Sequence, residues 1–320
     1  MAAKMAVVKK ETRVTYGETL VELGKENEKI VVMDADLSGS TKTATFKKAF
    51  PERFFNAGIA EGNMVGVAAG LAASGYTVFV SSFAMFASGR AFEQIRNAAA
   101  HPNLNVKVCA SHAGITVGPD GATHQCLEDI GIMRTIPNMT VINPADAVEA
   151  KLAIRAAAKI NGPVYMRFGR SAVPVVFDEN NYQFEIGKGA LLRDGKDVTI
   201  VASGITVEMA LNAADTLAEK GVEARVINMA TIKPIDKDIL VKASKETGAI
   251  VTAEEHNIIG GLGSAVCEAL SEEAPCIVER VGIRDTFGRS GSVDELLECY
   301  DLTPAEIVKR AEMAMKKAGK

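Results

Sequence analysis

The chain has 320 residues, and at about 100–200 residues per domain this length predicts two domains. Apolar residues make up 48% of it and its formal net charge is −4, which excludes an intrinsically disordered chain and gives no electrostatic footprint for nucleic acid. Its 5 cysteines form no CxxC or Cys/His cluster, so we expect neither a disulfide framework nor a zinc site. Free thiols fit a reducing compartment, and residues 1–13 show no signal-peptide pattern, so the expected localisation is cytoplasmic.

An uncharged stretch at residues 64–89 is long enough to span a bilayer. It contains several glycines, however, and its composition changes at Ser74 and Gly75, from small apolar residues to a strand-like run. The pattern therefore predicts a buried helix, a turn and a buried strand, and we expect no membrane span.

The first part of the chain alternates between strand-like and helix-like segments. Strands are predicted at 29–37, 76–83, 105–111, 138–144 and 163–168. Helices are predicted at 63–74, 86–100 and 147–160. Apolar β-branched runs that alternate with helices are typical of a mostly parallel sheet covered on both faces.

The alternation stops at residues 171–196, which have no helical period and several turn residues, so this segment is predicted to be a linker. It then resumes, with strands predicted at 198–203, 223–229, 248–255 and 276–283 and helices at 207–221, 235–244, 262–273, 292–299 and 304–318. We therefore predict an α/β protein of two domains, each a mostly parallel sheet flanked by helices. The predicted boundaries are 8–170 for the first domain, 171–196 for the linker and 197–320 for the second domain.

Polar residues cluster where the predicted strands of the first domain end. Asp34 and Asp36 follow the first strand, Ser111 and His112 follow a later one, and Arg167 ends the last. In open α/β sheets, ligands bind at the carboxyl ends of the strands. The sequence therefore predicts a small-molecule site at this edge of the sheet.

Two histidines, His112 and His124, bracket a glycine-rich loop that also contains Asp120. These groups could bind hydroxyls or phosphate or shuttle protons, and the segment could equally be a turn with incidental histidines. The spacing and the lack of a third soft ligand argue against zinc, so no metal site is predicted. In the second domain, His256 and the GGLG run at 260–263 lack a dinucleotide fingerprint, and we expect structural roles for them.

Glu61 precedes an apolar helix and has Gly, Ala, Ile and Met as neighbours in the chain. Desolvation would raise the pKa of such a carboxyl unless it is paired, which makes it a candidate proton partner for a ligand nitrogen. The alternative is a glutamate placed at a helix N-terminus by the helix dipole. Phe83 and Phe86 could line a flat ligand or simply be part of the core.

Together these segments resemble the transketolase family of thiamine-diphosphate enzymes. The motifs that carry the resemblance are DADLSGS (34–40), FFNAGIAEGNM (54–64), SFAMFASGRAFEQIR (82–96), SHAGITVGPDGATHQCLED (111–129), RTIPNMTVINPAD (134–146) and EEHNIIGGLGSAVCEAL (254–270). The resemblance covers roughly residues 10–317 and implies the pyrimidine-binding domain of that family followed by its C-terminal domain.

The family's diphosphate-binding domain, with a GDG motif followed by Asn that holds Mg²⁺, has no counterpart in this sequence. The resemblance therefore implies a split enzyme in which a second, N-terminal subunit binds Mg²⁺ and the cofactor diphosphate. Family active sites lie between domains of opposing protomers. A heterotetramer with two copies of each chain (α2β2) is therefore expected.

The resemblance also implies roles for residues around the cofactor. Glu61 matches the glutamate that contacts the N1′ nitrogen of the aminopyrimidine, and Asp36 matches an aspartate beside the cofactor. Phe83 and Phe86 match the aromatic pocket around the pyrimidine ring. The family's third aromatic residue falls at Gly89, so one wall of that pocket differs here.

Further positions match residues that hold the sugar substrate. Asp120 and His124 match residues that bond sugar hydroxyls, and with Glu61 they form the predicted catalytic set. The residues that match the phosphate-holding cluster are Arg13, Ser40, His112 and Arg167. Two arginines and an imidazole suit a phosphate dianion, and Arg170 is a less favoured substitute for Arg167.

The resemblance thus implies transfer of a two-carbon ketol unit between sugar phosphates, as in the pentose phosphate pathway. Two relatives remain as alternatives. Deoxyxylulose-phosphate synthases share the GPDGATHQ-like loop but usually lack histidine at the position of His112. The β subunits of 2-oxo-acid dehydrogenases share the two-domain layout but not this loop. A non-catalytic binding partner is a third alternative, which the retained Glu61 and substrate cluster disfavour.

Overall fold

The computed structural model describes residues 8–320, which form α-helices, short 3₁₀ and π-helical segments and three β-sheets. The strands are β1 (Lys9–Glu11), β2 (Ile30–Asp34), β3 (Phe54–Asn56), β4 (Thr77–Phe83), β5 (Val106–Ser111), β6 (Thr140–Ile142), β7 (Val164–Arg167), β8 (Ala172–Pro174), β9 (Ala190–Arg193), β10 (Val198–Ala202), β11 (Ala224–Asn228), β12 (Thr231–Lys233), β13 (Ala249–Asn257) and β14 (Ile277–Ile283). The α-helices are α1 (Thr12–Glu26), α2 (Ser38–Thr41), α3 (Ala44–Ala49), α4 (Glu61–Ala73), α5 (Phe92–Gln94), α6 (Asp129–Arg134), α7 (Ala147–Lys159), α8 (Thr206–Glu219), α9 (Lys237–Thr247), α10 (Leu262–Glu273), α11 (Val293–Cys299) and α12 (Pro304–Lys317).

The first sheet has the strand order β12-β6-β7-β5-β4-β2-β3, and all its pairs are parallel except that of β12 with β6. Successive residues of β2 point to opposite faces. Val31 belongs to the buried cluster that contains Met64 of α4, and Val32 belongs to the cluster that contains Leu20 of α1 and Ile154 of α7. Because both faces are covered by helices, the strand is apolar throughout, as the sequence pattern predicts.

The second sheet has the order β14-β13-β10-β11-β9 and is parallel apart from its edge strand β9. The predicted class, two mostly parallel sheets flanked by helices, is confirmed. The segment 171–196 differs from an irregular linker, because it contributes β8, which pairs with β1, and β9 at the edge of the second sheet. Three- and four-residue edge strands are too short to produce a hydrophobic period in the sequence.

The second domain also supplies a strand to the first sheet. Thr231 pairs with Ile142 and Lys233 pairs with Val141, so β12 covers the outer edge of β6. This antiparallel addition joins the domains through backbone hydrogen bonds as well as side-chain packing.

The predicted helix at 86–100 is instead a composite. Phe86–Arg90 and Ile95–Ala100 are π-helical and flank the short α5. π-helical turns often occur at functional sites, and each adds a residue relative to an α-helical turn. An amphipathic pattern cannot resolve a difference of one residue per turn.

The uncharged stretch 64–89 forms most of α4, a turn at Ser74 and Gly75, and β4. Within residues 8–320, no helix is both long enough and apolar enough to cross a membrane.

Candidate active site

The loop after β2 is held by one buried carboxylate, Asp34. Its Oδ1 accepts a hydrogen bond from the backbone N–H of Leu37 (2.6 Å), and its Oδ2 accepts from the hydroxyls of Thr41 (2.7 Å) and Thr43 (2.9 Å). Burial raises the pKa of Asp34, and these hydrogen bonds oppose that shift. Asp34 is therefore a support for the loop that carries the predicted residues Asp36 and Ser40.

Asp36 lies exposed on this loop, in the left-handed backbone region with φ of 66°. Its carboxylate accepts a hydrogen bond from Nδ2 of Asn56 (2.9 Å), and its backbone N–H donates to Oδ1 of the same residue (3.0 Å). The reciprocal pair joins the loop to the end of β3. It leaves the second carboxylate oxygen of Asp36 available to a ligand.

Glu61 is the first residue of α4 and is only 2% exposed. Its Oε1 lies 3.3 Å from the Ser82 hydroxyl, which donates to it, and 3.5 Å from Nη1 of Arg90. Within the described residues its Oε2 has no hydrogen-bond partner. One oxygen is thus held by the protein while the other remains free to accept a hydrogen bond from a ligand.

Aromatic rings lie beside this carboxylate. The rings of Phe83 and Phe86 are stacked with centroids 6.0 Å apart, and the imidazole of His112 stacks on Phe83 at 3.9 Å. His124 meets Phe86 edge-on at 5.3 Å, and the guanidinium of Arg90 lies over the Phe86 ring at 4.3 Å. These contacts connect the Glu61 carboxylate to both predicted histidines.

His112 is buried at the end of β5, with a left-handed φ of 56°. Its Nδ1 lies 2.9 Å from the Ser111 hydroxyl and its Nε2 lies 3.5 Å from Nη1 of Arg13. Burial lowers the pKa of His112 to about 3, helped by the positive charges of Arg13, Arg170 and Lys42. The imidazole is therefore neutral near pH 7 and belongs to a group of basic side chains.

We call the three cations Arg13, Lys42 and Arg170, together with the neutral imidazole of His112 beside them, the cation cluster. Arg13 donates from Nη1 to the backbone oxygen of Ser40 (2.9 Å) and from Nε to Glu11 (2.9 Å). Arg170 donates from Nη1 to the backbone oxygen of Val117 (2.5 Å). Because neither arginine is fully used by protein carboxylates, the cluster can bind an anion.

Arg167, predicted to hold phosphate, is not part of this cluster. Its side chain is 3% exposed, its Nε donates to Asp129 Oδ2 (2.9 Å) and its Nη2 donates to the backbone oxygen of Glu255 (2.8 Å). The carboxylates of Asp129 and Glu255 hold the pKa of Arg167 above its usual value despite its burial. The phosphate role predicted for Arg167 is not supported by this geometry, since its Nε and Nη2 are used inside the protein. Arg170, the less favoured substitute, is the arginine whose charge acts on His112.

Lys42 is the residue that the sequence reasoning missed. It follows Ser40 by two positions at the end of α2, and a Cβ on Gly17 would lie 2.4 Å from its backbone oxygen. The available signal was its position inside the loop that already contained Asp36 and Ser40.

The glycine-rich loop carries Asp120, exposed at the end of a 3₁₀ segment (Ile115–Asp120), and His124, whose Nδ1 lies 2.9 Å from the Thr123 hydroxyl. The contacts described for His124 place it against Phe86, whereas Asp120 faces solvent. Gly114 must be glycine, because its φ is +79° and a Cβ would lie 2.1 Å from Glu255 Oε1.

The second domain anchors this loop. Glu255 Oε1 accepts a hydrogen bond from the backbone N–H of Thr116 (2.8 Å), and Gln125 donates to the backbone oxygen of Arg289 (2.9 Å). His256 Nε2 lies 3.2 Å from the backbone nitrogen of Gly131, which donates to it. Glu254 accepts from the first backbone N–H groups of α10, at Leu262 (2.6 Å) and Gly263 (2.8 Å). Glu255, His256 and Gln125 thus join the two domains, whereas Glu254 holds the GGLG run within the second domain.

The donor set suits a flat nitrogen heterocycle at one end and an anion at the other. A free carboxylate oxygen beside stacked rings can accept a hydrogen bond from a ring nitrogen, and the cation cluster is joined to it through Phe83. No group of three or more His, Cys, Asp or Glu side chains in residues 8–320 is arranged to hold a metal ion. The residues present therefore fit the ring part of a thiamine-type cofactor and a phosphorylated substrate.

Two domain families match the chain. Residues 8–176 match "Transketolase, pyrimidine binding domain", and residues 187–307 match "Transketolase, C-terminal domain".

Individual proteins match along nearly the whole chain. A protein of Methanocaldococcus jannaschii, provisionally named a transketolase C-terminal section, is 56% identical over 98% of this chain and 99% of its own length. The 6-deoxy-6-sulfo-D-fructose transketolase subunit SqwH of Clostridium sp. is 45% identical over 93% of this chain and 92% of its own length.

A solved structure described as "Split gene transketolase, inactive beta4 tetramer" superposes with a TM-score of 0.88 at 55% identity. The superposition covers 96% of this chain and 98% of that one.

Proposed function

Because this chain belongs to the transketolase family, we propose that it is the C-terminal subunit of a two-chain transketolase. With an N-terminal companion it transfers a two-carbon ketol unit from a ketose phosphate to an aldose phosphate. The observation that carries this proposal is the continuous set of contacts from Glu61 through Arg90, Phe86 and Phe83 to His112 and Arg13. A ring site and an anion site thus lie at the two ends of one series of contacting side chains.

Thiamine diphosphate, when bound, supplies stabilisation of a carbanion, which cleavage of a ketose requires. Glu61 holds a proton in a hydrogen bond with a ring nitrogen through its free Oε2. Phe83 and Phe86 offer the apolar faces against which the ring stacks, and Asp36 lies on the adjoining loop. In this proposal Mg²⁺ and the cofactor diphosphate are held by the companion.

At the other end, the cation cluster binds the substrate phosphate. Arg13 and Arg170 donate charge-assisted hydrogen bonds, and neutral His112 donates or accepts according to its tautomer. Ser40 lies beside Arg13, which fixes its backbone oxygen. His124 and Asp120 reach the sugar hydroxyls between the two ends, and His124 moves a proton there.

The outer face of α4 is the proposed companion surface. Gly66, Val67 and Gly70 are exposed along it, and Phe55 and Ile59 lie exposed on the segment before it. Glu61 begins this same helix, so a chain docked on it would lie beside the ring site. Large exposed apolar side chains next to small residues are typical of a protein interface.

We propose an α2β2 assembly in the cytoplasm. The solved relative described as an inactive β4 tetramer supports both self-association of such chains and their lack of activity alone. The free cysteines of this chain support a reducing compartment.

The cation cluster favours ketol transfer between sugar phosphates over the alternatives. A 2-oxo-acid dehydrogenase β subunit needs no phosphate site, and a non-catalytic partner needs neither Glu61 nor the cluster. A deoxyxylulose-phosphate synthase remains the nearest competitor, and the buried imidazole of His112 on Phe83 argues against it.

The test uses the tagged chain to purify its companion from an extract of its own source. The eluate is assayed with xylulose 5-phosphate, ribose 5-phosphate, Mg²⁺ and thiamine diphosphate, with the lone chain as control. We expect a companion that carries a GDG motif and ketol transfer that the lone chain lacks. Pyruvate-dependent activity without ketol transfer would overturn the assignment in favour of the synthase or dehydrogenase.

A further inference from the structure

We propose that Arg90 forms a wall of the ring-binding pocket and positions the Glu61 carboxylate within it. This inference rests on the proposed function and assigns a task to a residue that none of the roles above uses. Arg90 acts through Glu61 and Phe86, so it is a positioning residue.

Two contacts place Arg90 at the pocket. Its guanidinium carbon lies 4.3 Å from the centroid of the Phe86 ring, and its Nη1 lies 3.5 Å from Glu61 Oε1. The side chain remains 54% exposed, whereas Glu61 is 2% exposed. The guanidinium therefore lies at the boundary between the buried carboxylate and solvent, where a ligand ring would enter.

Gly89, the residue before Arg90, has no side chain to fill the space beside its own Cα. A Cβ built on Gly89 would have only the flexible end of Met85 within 4 Å, at 3.1 Å. Phe86 and Arg90 are the first and last residues of a π-helical segment and lie four positions apart. Helix residues four apart are surface neighbours, so the side chain that covers Phe86 is that of Arg90.

The chemistry of arginine suits this position. A guanidinium is planar and stacks on aromatic faces, so it can bound a flat heterocycle as an aromatic ring would. Ser82 and Arg90 both contact Oε1 of Glu61, which leaves Oε2 as the oxygen that is free for the ligand. Arg90 thus orients the carboxylate as well as closing the pocket.

Arg96 provides a matched control. It belongs to the second π-helical segment, is exposed, and donates from Nη1 to its neighbour Asn97 (2.6 Å). Arg96→Ala removes the same charge from a nearby part of the fold without touching Glu61 or Phe86.

The experiment measures thiamine diphosphate binding by calorimetry in the presence of Mg²⁺, on the complex co-purified with its companion. We expect Arg90→Ala to raise Kd about tenfold, as for loss of one stacked cation and one ion-pair contact, and Arg96→Ala to leave it unchanged. Gly89→Tyr combined with Arg90→Ala should recover much of the binding, because a ring at residue 89 restores the wall.

A second readout separates positioning from simple packing. At saturating cofactor, deuterium exchange at the reactive ring carbon of the cofactor should be slower in Arg90→Ala, and Gly89→Tyr should not restore it. Equal Kd and equal exchange in Arg90→Ala and Arg96→Ala would overturn the inference. If the wild-type complex binds no thiamine diphosphate, the proposed function itself fails.

Discussion

Arg167 and Arg170 lie at the end of one strand, and their surroundings differ completely. Arg167 is 3% exposed and donates to Asp129 and to the backbone of Glu255. Arg170 is partly exposed, and its one hydrogen bond within residues 8–320 is to a backbone oxygen, that of Val117. The first guanidinium is neutralised inside the protein, and the second has no carboxylate partner within residues 8–320.

The comparison extends to the groups around each arginine. Asp129, Arg167 and Glu255 form a closed ionic cluster where the two domains meet, and removing a member leaves a buried charge without compensation. The cation cluster contains no carboxylate that pairs with Arg170 or Lys42 among residues 8–320. The two arginines thus differ in their countercharges, which two buried carboxylates supply for Arg167 and none supplies for Arg170 within residues 8–320.

The largest effect should be on turnover, and it should come from a residue of the proposed ligand site, Glu61. Glu61→Gln keeps the shape of the side chain and its contact with Ser82, but an amide cannot share a proton with a ring nitrogen. We expect kcat of the companion complex to fall by about 10²–10⁴, the range for loss of an acid–base group. Thermal unfolding should be unchanged, and normal turnover would remove Glu61 from the mechanism.

A change in the ionic cluster of Asp129, Arg167 and Glu255 should lower the stability of the fold. Arg167→Met leaves the carboxylates of Asp129 and Glu255 buried and unpaired, which should cost about 3–5 kcal/mol of unfolding free energy. Urea titration measures this, and the triple change Arg167→Met, Asp129→Asn, Glu255→Gln should recover part of it. A raised KM for phosphorylated sugars with unaltered stability would return Arg167 to the phosphate site.

Arg170→Ala should instead alter substrate binding and leave stability unchanged. Loss of a hydrogen bond between charged groups, about 1.5–3 kcal/mol, should raise KM for phosphorylated donors about 10–100-fold. KM for an unphosphorylated donor such as hydroxypyruvate should change little, and the urea midpoint should be unaffected. Equal effects on both donors would show that Arg170 does not contact phosphate.

The smallest effect concerns His112 and pH. Its pKa of about 3 in the folded chain lies below the value of about 6.5 of an unfolded histidine. Stability from the neutral imidazole is therefore present above about pH 6.5 and is lost as pH falls toward 3, because only the unfolded state takes up the proton.

The variant His112→Gln lacks this titration. The difference in unfolding free energy between wild type and variant should shrink as pH falls from 7 to 5, measured by urea titration at each pH. Parallel curves would contradict the lowered pKa.

Most of the fold could be predicted because buried parallel strands are recognisable in a sequence as continuous apolar runs. The predicted strand at 105–111 is β5, and the predicted helix at 147–160 is α7. The features that were missed include the helix α1 (Thr12–Glu26), the edge strand β9, the cross-domain strand β12 and the π-helical turns.

For the site, the residue types in the sequence indicated which chemistry was available. They did not indicate which charged side chains would be paired with an opposite charge inside the protein. The predicted residues Glu61, Phe83, Phe86, His112 and Arg13 are joined by contacts in the structure, with Arg90 linking Glu61 to Phe86. The internal partner of Arg167 that the sequence did not reveal is Glu255, which is distant in sequence and belongs to the other domain. Sequence position along one strand cannot show which of two arginines meets a carboxylate from elsewhere in the chain.

The cross-domain strand β12 also determines what counts as the smallest viable piece of this molecule. Without it, the edge of β6 would present unpaired backbone groups, which are a template for pairing with other chains. The first domain on its own would therefore be prone to edge-to-edge aggregation, and it would also lose part of its core, since Ile227, Met229 and Ile232 belong to the same buried cluster as Val141. In this chain the second domain therefore covers the exposed edge of the first sheet, in addition to holding the glycine-rich loop of the first domain.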